Sequence, residues 1–377
     1  TQSGDGSYFA VWADDRTEMI DIRFSKSQNG TSWGDGKFNN NDKIVNSDSG
    51  EGLDHWSPAI AVDDQPRLYC IWLDNGGDGL RMMMSTSNNS GNFWTPAKQI
   101  TQVTGQVSEP EMVWSPTAGL VIVYVLEHQR TPESVPERDI MFIRSTNEGE
   151  TFTSPMILNG DDSQEDQVHP SVSVSSTGRI AVAWEDYRNG DSVSGYNSDI
   201  YMAYTTTGLS FTEDIRVGRP GDIVKQQYPD IAFSKRGDIM VVWQESTLNG
   251  WRVKYSPGWA ASQGWDRNMS DDFSATSENL TTEDQFRPKT DYIDGAFSIA
   301  WVEVDIRNFY LVRCGYLTRE GDFLSGNRIV DNSIDLGTFT NDPEIYKSEM
   351  YRQTVSVEGM GSKTQVFWID HRTDNNP

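Results

Sequence analysis

Apolar positions along this chain fall in short runs, alternating or continuous, each closed by Gly, Pro, Ser or Asn. The stretch from His169 to Arg188 shows the pattern in full. Small and apolar residues alternate through Pro170, Val172 and Val174. A Gly turn follows, then the run Ile180-Ala181-Val182-Ala183-Trp184, which stops at the polar cluster Glu185-Asp186-Tyr187-Arg188. Alternation and apolar runs of this length, bounded by turn residues, predict two antiparallel strands.

The same unit recurs. Pro58 leads to Trp72, Pro110 to Tyr124, Pro170 to Trp184 and Pro229 to Trp243, each fourteen residues on by subtraction, and Pro288 leads to Trp301 after thirteen. Two more second strands lie at the ends, YFAVWADDR around Trp12 and TQVFWIDHR around Trp368. The aromatic anchors at 12, 72, 124, 184, 243, 301 and 368 are therefore 60, 52, 60, 59, 58 and 67 residues apart. A period of this size carrying only strand patterns predicts an all-β chain, a single β-propeller of four-stranded blades over residues 1–377. Counting fourteen back from Trp12 falls before residue 1, so the terminal blades are incomplete. The first is expected to hold strands over 8–13, 19–25 and 43–46, and the last over 354–357 and 365–369. Seven blades are favoured and six are the alternative, in which the two chain ends share a blade and leave no bare strand edge.

Composition changes this picture in a few respects. Length alone would suggest two or three domains, and the repeat overrides it. Thin blades bury their faces only by stacking on neighbours, a task suited to large aromatics, and the chain has 13 Trp. A net charge of −25 argues against nucleic acid and anionic membranes as partners. No apolar run approaches the roughly 20 residues of a membrane helix, and no signal peptide is present. The expected setting is extracellular or at a cell surface, in a domain cut from a longer chain with further domains or protein partners at its ends. Cys70 and Cys314 sit in strands and read as buried free thiols.

The turns between third and fourth strands carry a family likeness. Ser87-Asn88-Asn89-Ser90-Gly91-Asn92-Phe93-Trp94 and Ser145-Thr146-Asn147-Glu148-Gly149-Glu150-Thr151-Phe152 resemble the S-x-D-x-G-x-T-W Asp-boxes of sialidase-like (BNR repeat) propellers, with Asn in place of Asp. Shortened copies run from Ser27 to Trp33 and from Thr205 to Phe211; eroded ones run from Ser256 to Trp265 and from Thr318 to Phe323. A short Ser or Asx side chain closes such a turn onto backbone amides, Gly takes a positive φ and the aromatic plugs the blade. The resemblance implies the fold. In the family these turns lie away from the active face.

Candidate chemistry collects in two other loop sets, those that precede each blade Pro and those that follow each aromatic anchor. All four histidines fall there: His55 and His169 in the first set, His128 and His371 in the second. With Trp56, Glu109, Asp186, Arg188, Tyr228, Glu245, Arg287 and Asp370 they make a polar face containing aromatics, the composition that stacks sugar rings and pairs with hydroxyls. The plainer reading of the recurring Asp and Arg is that they tie neighbouring blades together. His55, Trp56, His169 and Arg287 differ from blade to blade, so repeat structure does not demand them.

The family resemblance also implies a chemistry. Sialidases of this type use three arginines on the substrate carboxylate, a Tyr nucleophile activated by Glu, and an Asp acid/base; bidentate arginine suits a carboxylate. Arg287 and Arg352, joined by Arg16, Arg188 or Arg372, with Tyr228 or Tyr351 as nucleophile, are the matching positions. The F-R-I-P segment that introduces the first family arginine is met only in part by Phe286-Arg287-Pro288. A polysaccharide lyase built on His169, Tyr228 and Arg287 is a further option. No His-x-x-x-His or EF-type spacing marks a metal site. Ca²⁺ could settle at Asp161-Asp162 or Asp271-Asp272, which read more simply as solvated loops. The expected function is therefore the binding of a glycan or another surface polymer without a complete catalytic set. The alternatives are a glycoside hydrolase, a lyase, and a structural or assembly domain.

Overall fold

The computed structural model describes residues 1–331, apart from 17–18, 29, 31–32, 34–41, 48–51, 77–78, 102, 104, 130, 132–133, 162, 191–196, 220–223, 249, 261–268, 270–272, 276–283, 294, 305–309 and 319–327, together with 355–360 and 363–368. Among the described residues every named element is a strand.

Five sheets of four antiparallel strands follow one another. The first of them is β4 (His55–Val62), β5 (Leu68–Asp74), β6 (Arg81–Ser87) and β7 (Lys98–Gln99). Next comes β8 (Gln106–Ser115), β9 (Gly119–His128), β10 (Glu137–Ser145) and β11 (Met156–Ile157). The third is β12 (Gln167–Val174), β13 (Ile180–Asp186), β14 (Asp199–Thr205) and β15 (Ile215–Val217). Then come β16 (Gln226–Phe233), β17 (Ile239–Thr247), β18 (Gly250–Gly258) and β19 (Phe273–Ser274), and finally β20 (Asp284–Ile293), β21 (Ala296–Val304), β22 (Tyr310–Thr318) and β23 (Arg328–Asp331). A three-stranded sheet precedes them, β1 (Tyr8–Asp14), β2 (Asp21–Ser27) and β3 (Lys43–Ile44). A two-stranded one follows, β24 (Val355–Met360) and β25 (Lys363–Trp368). Each strand pairs with its neighbours in sequence, as the repeat predicts. Among the described residues the first of these sheets holds three strands and the last two, with bounds within three residues of those expected.

The chain divides into two units, residues 1–184 with 203–214, and 185–202 with 215–377. The core of each lies between successive sheets. In the first unit, Phe9, Ile22 and Phe24 pack against Leu68, Cys70 and Trp72, while Tyr69 and Ile71 face Leu120, Ile122 and Tyr124. In the second, Met240, Val242 and Val253 pack against Phe297, Ile299 and Trp301. Second strands are covered on both faces, which explains their near-continuous apolar runs; every residue of β5 and β13 is buried. Trp72, Trp184, Trp243 and Trp301 are wholly buried. Removing an indole from water is worth roughly 4–6 kcal/mol as an upper bound. The described outer strands β3 and β7 are two residues long and exposed, a form that resists pairing with other chains. Cys70 and Cys314 are buried free thiols.

The Ser/Asn turns close as their composition predicts. Ser87 Oγ accepts the Gly91 N–H at 3.0 Å and Asn89 Oδ1 accepts the Phe93 N–H at 2.9 Å. Ser145 and Asn147 do the same for Gly149 and Thr151. Gly91 and Gly149 have φ of 80° and 78°. Trp94 is buried, whereas its neighbour Phe93 is 66% exposed.

Candidate functional site

The geometry of the candidate face begins with a backbone feature. Ser57, Glu109, His169, Tyr228 and Arg287, each directly before a blade proline, have φ between 48° and 53°. In four of the five sheets the strand register slips at this point, between Trp56 and Ala59, Ser108 and Glu111, Gln227 and Asp230, and Phe286 and Lys289. An extra residue in one strand re-aims its side chain. These bulges sit at the end of each sheet opposite the Ser/Asn turn, because His55 pairs with Asp74 and Asp74 with Arg81, while Val62 pairs with Leu68 and Leu68 with Ser87.

In the first unit, the His169 N–H donates to Glu109 Oε2 at 2.6 Å, and His169 Nε2 lies 3.6 Å from Glu109 Oε1. Both side chains are about one-third exposed, at 28% and 34%. Two bulge residues of successive sheets thus meet. Trp56 is half-buried beside the exposed Ser57. His55 lies in the core: it is wholly buried, its Nδ1 is 2.9 Å from the Ile20 carbonyl, and its ring meets Trp72 edge-on. His128 is tied to a neighbouring strand, with Nε2 2.7 Å from Asp139 Oδ2. Together with Glu137 it forms the group of described residues able to hold a metal ion, one ligand atom from each of the three lying within 4.8 Å of the others. Asn159 Nδ2 donates to Asp139 Oδ1 at 2.8 Å, occupying part of that carboxylate.

In the second unit, the Arg287 guanidinium lies over the Tyr228 ring, 3.4 Å from its centroid, where the ring's negative face attracts a cation. The Tyr228 N–H donates to Glu185 Oε2 at 3.3 Å, and the Arg287 N–H to Gln244 Oε1 at 2.9 Å. Glu185 Oε1 also accepts the Tyr187 hydroxyl at 2.5 Å and the Gln227 amide at 3.1 Å. Burial, reinforced by the Glu185 charge, pushes the Tyr187 hydroxyl well above the ordinary tyrosine range. It therefore stays protonated and acts as a donor.

The residues one and two places after the aromatic anchor have different tasks. Glu185 and Gln244, one place on, reach the bulge residue of the next sheet. Residues two places on serve their own sheet. Asp186 takes a bidentate pair from Arg188, at 2.9 and 2.6 Å, and that arginine also covers Tyr201. Asp14 holds Arg16 in the same way, Asp74 holds Arg81 and Glu303 holds Arg313. Glu245 accepts from Gln226 and lies 3.6 Å from Lys254. In the pairs seen here the recurring Asp and Arg hold a strand end or the neighbouring strand of their own sheet. Sequence reading selected Asp186 and Arg188 but not Glu185 and Tyr187. The signal that separates them is alternation: Glu185 and Asp186 are the last two residues of β13, so they lie on opposite faces. Tyr351, Arg352, Asp370, His371, Arg372, Asp162, Asp271 and Asp272 lie outside the described residues.

No family model matches the chain, and no curated protein does. Solved structures similar to it include a protein of unknown function from Dyadobacter fermentans (11% identity, TM-score 0.49), with 73% of this chain and 82% of that one covered. Another is a variant of the NanB sialidase from Streptococcus pneumoniae (10%, 0.49; 90% and 69% covered). A third is an α-L-arabinofuranosidase from Fusarium graminearum in complex with arabinobiose (12%, 0.47; 71% and 78% covered).

Proposed function

We propose that the chain is a sialidase-like β-propeller, of seven blades, that works outside the cell or at its surface and binds a glycan through the residues at its X–Pro bulges. The observation that carries this reading is the choice of residue at the bulges. A left-handed backbone costs a non-glycine residue about 1–2 kcal/mol, and a following proline pushes its predecessor toward extended backbone. Glycine would meet the conformation at least strain, yet the positions hold Ser, Glu, His, Tyr and Arg. Strained positions that keep chemically capable side chains point to use of those side chains. Tyr228 under Arg287 offers a ring edge and fixed donors beside Gln227 and Gln244, and His169 with Glu109 offers a donor and an acceptor. Groups of this kind recognise ring faces and hydroxyls.

A catalytic reading, as an exo-glycosidase, is favoured by one contact, the Tyr187 hydroxyl on Glu185. A tyrosine nucleophile needs its proton removed, whereas burial and the Glu185 charge hold that proton on Tyr187. This disfavours Tyr187 as a nucleophile, and binding is the reading we carry forward. The test is to incubate the protein with a reducing-end-labelled glycan pool and read bound and free fractions by mass spectrometry. Intact glycans retained by the wild type and lost with Arg287→Ala and His169→Ala are the expected result. New smaller masses, abolished by Tyr228→Phe or Tyr187→Phe, would establish an enzyme instead. No retention and no cleavage would reject the glycan reading.

A further inference from the structure

The loop end of β9 and β10 brings three metal-type donors onto one face of a hairpin. His128 and Glu137 stand directly opposite one another and Asp139 pairs with Leu126, so the alternation of the strands turns all three side chains the same way. His128 Nε2 lies 2.7 Å from Asp139 Oδ2. One ligand atom from each of His128, Glu137 and Asp139 lies within 4.8 Å of the others. The two carboxylates are in the interior, at 1% for Asp139 and 2% for Glu137, and Glu137 Oε1 is buried and takes no hydrogen bond. The His128 side chain, 17% exposed, gives the group its edge on solvent. Asp139 Oδ1 accepts the Asn159 amide at 2.8 Å, and that amide also donates to Gln167 Oε1 at 2.9 Å. Outer contacts of this kind fix the orientation of a ligating carboxylate.

Neighbouring sheets balance the carboxylates at this end with a permanent cation. Asp74 meets Arg81, Asp186 meets Arg188, Asp199 meets Arg216 and Glu303 meets Arg313. Asp199 is the close equivalent of Asp139: each precedes an isoleucine, Ile200 or Ile140, whose N–H donates to a buried side-chain amide. Where Asp199 has an arginine, Asp139 has a histidine, charged only if protonated, and a second carboxylate beside it. Two carboxylates gathered out of water are costly unless positive charge joins them. We infer that a divalent metal ion of the zinc class joins them here, held by His128 Nε2, Asp139 and Glu137. The donor set selects the metal. Ca²⁺ takes roughly 6–8 oxygen donors, whereas one imidazole with two carboxylates suits Zn²⁺. A tetrahedral Zn²⁺ with bonds of about 2.0–2.2 Å keeps its donors roughly 3.3–3.5 Å apart, so Nε2 and Oδ2 need part by less than about 1 Å. Three protein donors leave the fourth position to water. The ion ties β9 to β10 at the end of the sheet that carries the Glu109 bulge.

Calorimetric titration of ZnCl₂, and separately CaCl₂, into the chelator-treated full chain tests this site. Zn²⁺ is expected to bind at one ion per chain and to raise the thermal midpoint, with Ca²⁺ far weaker. His128→Gln keeps a donor for Asp139 at a partly exposed position. It should weaken Zn²⁺ at least about 100-fold, since even outer contacts to a metal ligand are worth about 10–100-fold. Glu137→Gln should weaken it about as much. Should Glu137→Gln fail to fold by circular dichroism, His128→Gln alone decides. His169→Ala removes a partly exposed histidine outside the trio and should leave Zn²⁺ affinity within about twofold. No Zn²⁺ binding by the wild type, or binding undiminished in His128→Gln, overturns the inference. Binding lost with His169→Ala but kept with His128→Gln also overturns it and places the ion at the bulge face. Equal affinity for Ca²⁺ and Zn²⁺ would overturn it too, by marking an oxygen-only site.

Discussion

At the scale of single residues, His169 carries two demands that pull apart. Its φ of 52° favours glycine, while its imidazole, 3.6 Å from the Glu109 carboxylate, is a group that the proposed glycan site would use. Replacing it with glycine relieves the left-handed strain of about 1–2 kcal/mol. The change also adds glycine's unfolded-state entropy, about 0.5–1 kcal/mol in the other direction, and removes a half-exposed ion pair worth at most about 1 kcal/mol. His169→Gly is expected to keep stability within about 1 kcal/mol of wild type while glycan retention falls. Chemical denaturation alongside the retention assay checks this. A loss of several kcal/mol would make His169 a structural residue, and unchanged retention would remove it from the site.

At the scale of elements, the turn glycines separate backbone strain from packing. Gly91 has φ +80° and a Cβ placed on it would stand 2.0 Å from the Phe24 ring of the preceding sheet. Gly52 has nearly the same φ, +82°, with nothing within 4 Å. Gly52→Ala should cost about 1–2 kcal/mol from backbone conformation alone. Gly91→Ala should cost that plus the penalty of moving a packed ring, about 1–3 kcal/mol more. Equal midpoint shifts for the two in denaturant unfolding would show that Phe24 yields freely and that the Ser/Asn turn does not plug the sheet. The same contrast explains why the turn between third and fourth strands is legible in sequence. Its Ser, Asn and Gly act on atoms two to four residues away, so spacing alone reports them.

For the molecule as a whole, burial sets the behaviour in alkali. Tyr69 and Tyr124 are wholly buried and Tyr187 nearly so. Burial first, and then the nearby carboxylates Asp63 and Glu185 for Tyr69 and Tyr187, raise all three hydroxyls above the ordinary value of 10.0. Folded chains keep these protons where unfolded chains release them. Their contribution is therefore fully present below about pH 10 and is lost as pH rises toward the folded values, by up to about 1.4 kcal/mol per pH unit for each group. Thermal midpoints should be insensitive to these groups up to pH 9 and fall steeply above pH 10, with the tyrosinate absorbance of these three rings appearing together with unfolding. Tyr124→Phe should make the decline shallower. Tyrosinate formation at these three rings well before unfolding, read as the absorbance that their Phe variants lose, would show that solvent reaches them in the folded chain.

Local chemistry made much of this protein readable from its residues. The apolar runs, the prolines thirteen or fourteen residues before each anchor and the Ser/Asn/Gly turns act over one hairpin, and they determined the strands and their order. What tertiary structure decided is which polar side chain faces what. His55 and Glu109 stand three places and one place before their prolines, yet one is a core residue on the Ile20 carbonyl and the other meets His169. Asp186 and Glu185 are adjacent in sequence, yet one clamps its own sheet and the other reaches Tyr228. The contacts between sheets join residues 35 to 60 positions apart, and in four of the sheets a register slip turns one side chain out of the alternation. Hydrophobic patterning specifies the face of a strand, but it carries no signal for a partner supplied by the next sheet.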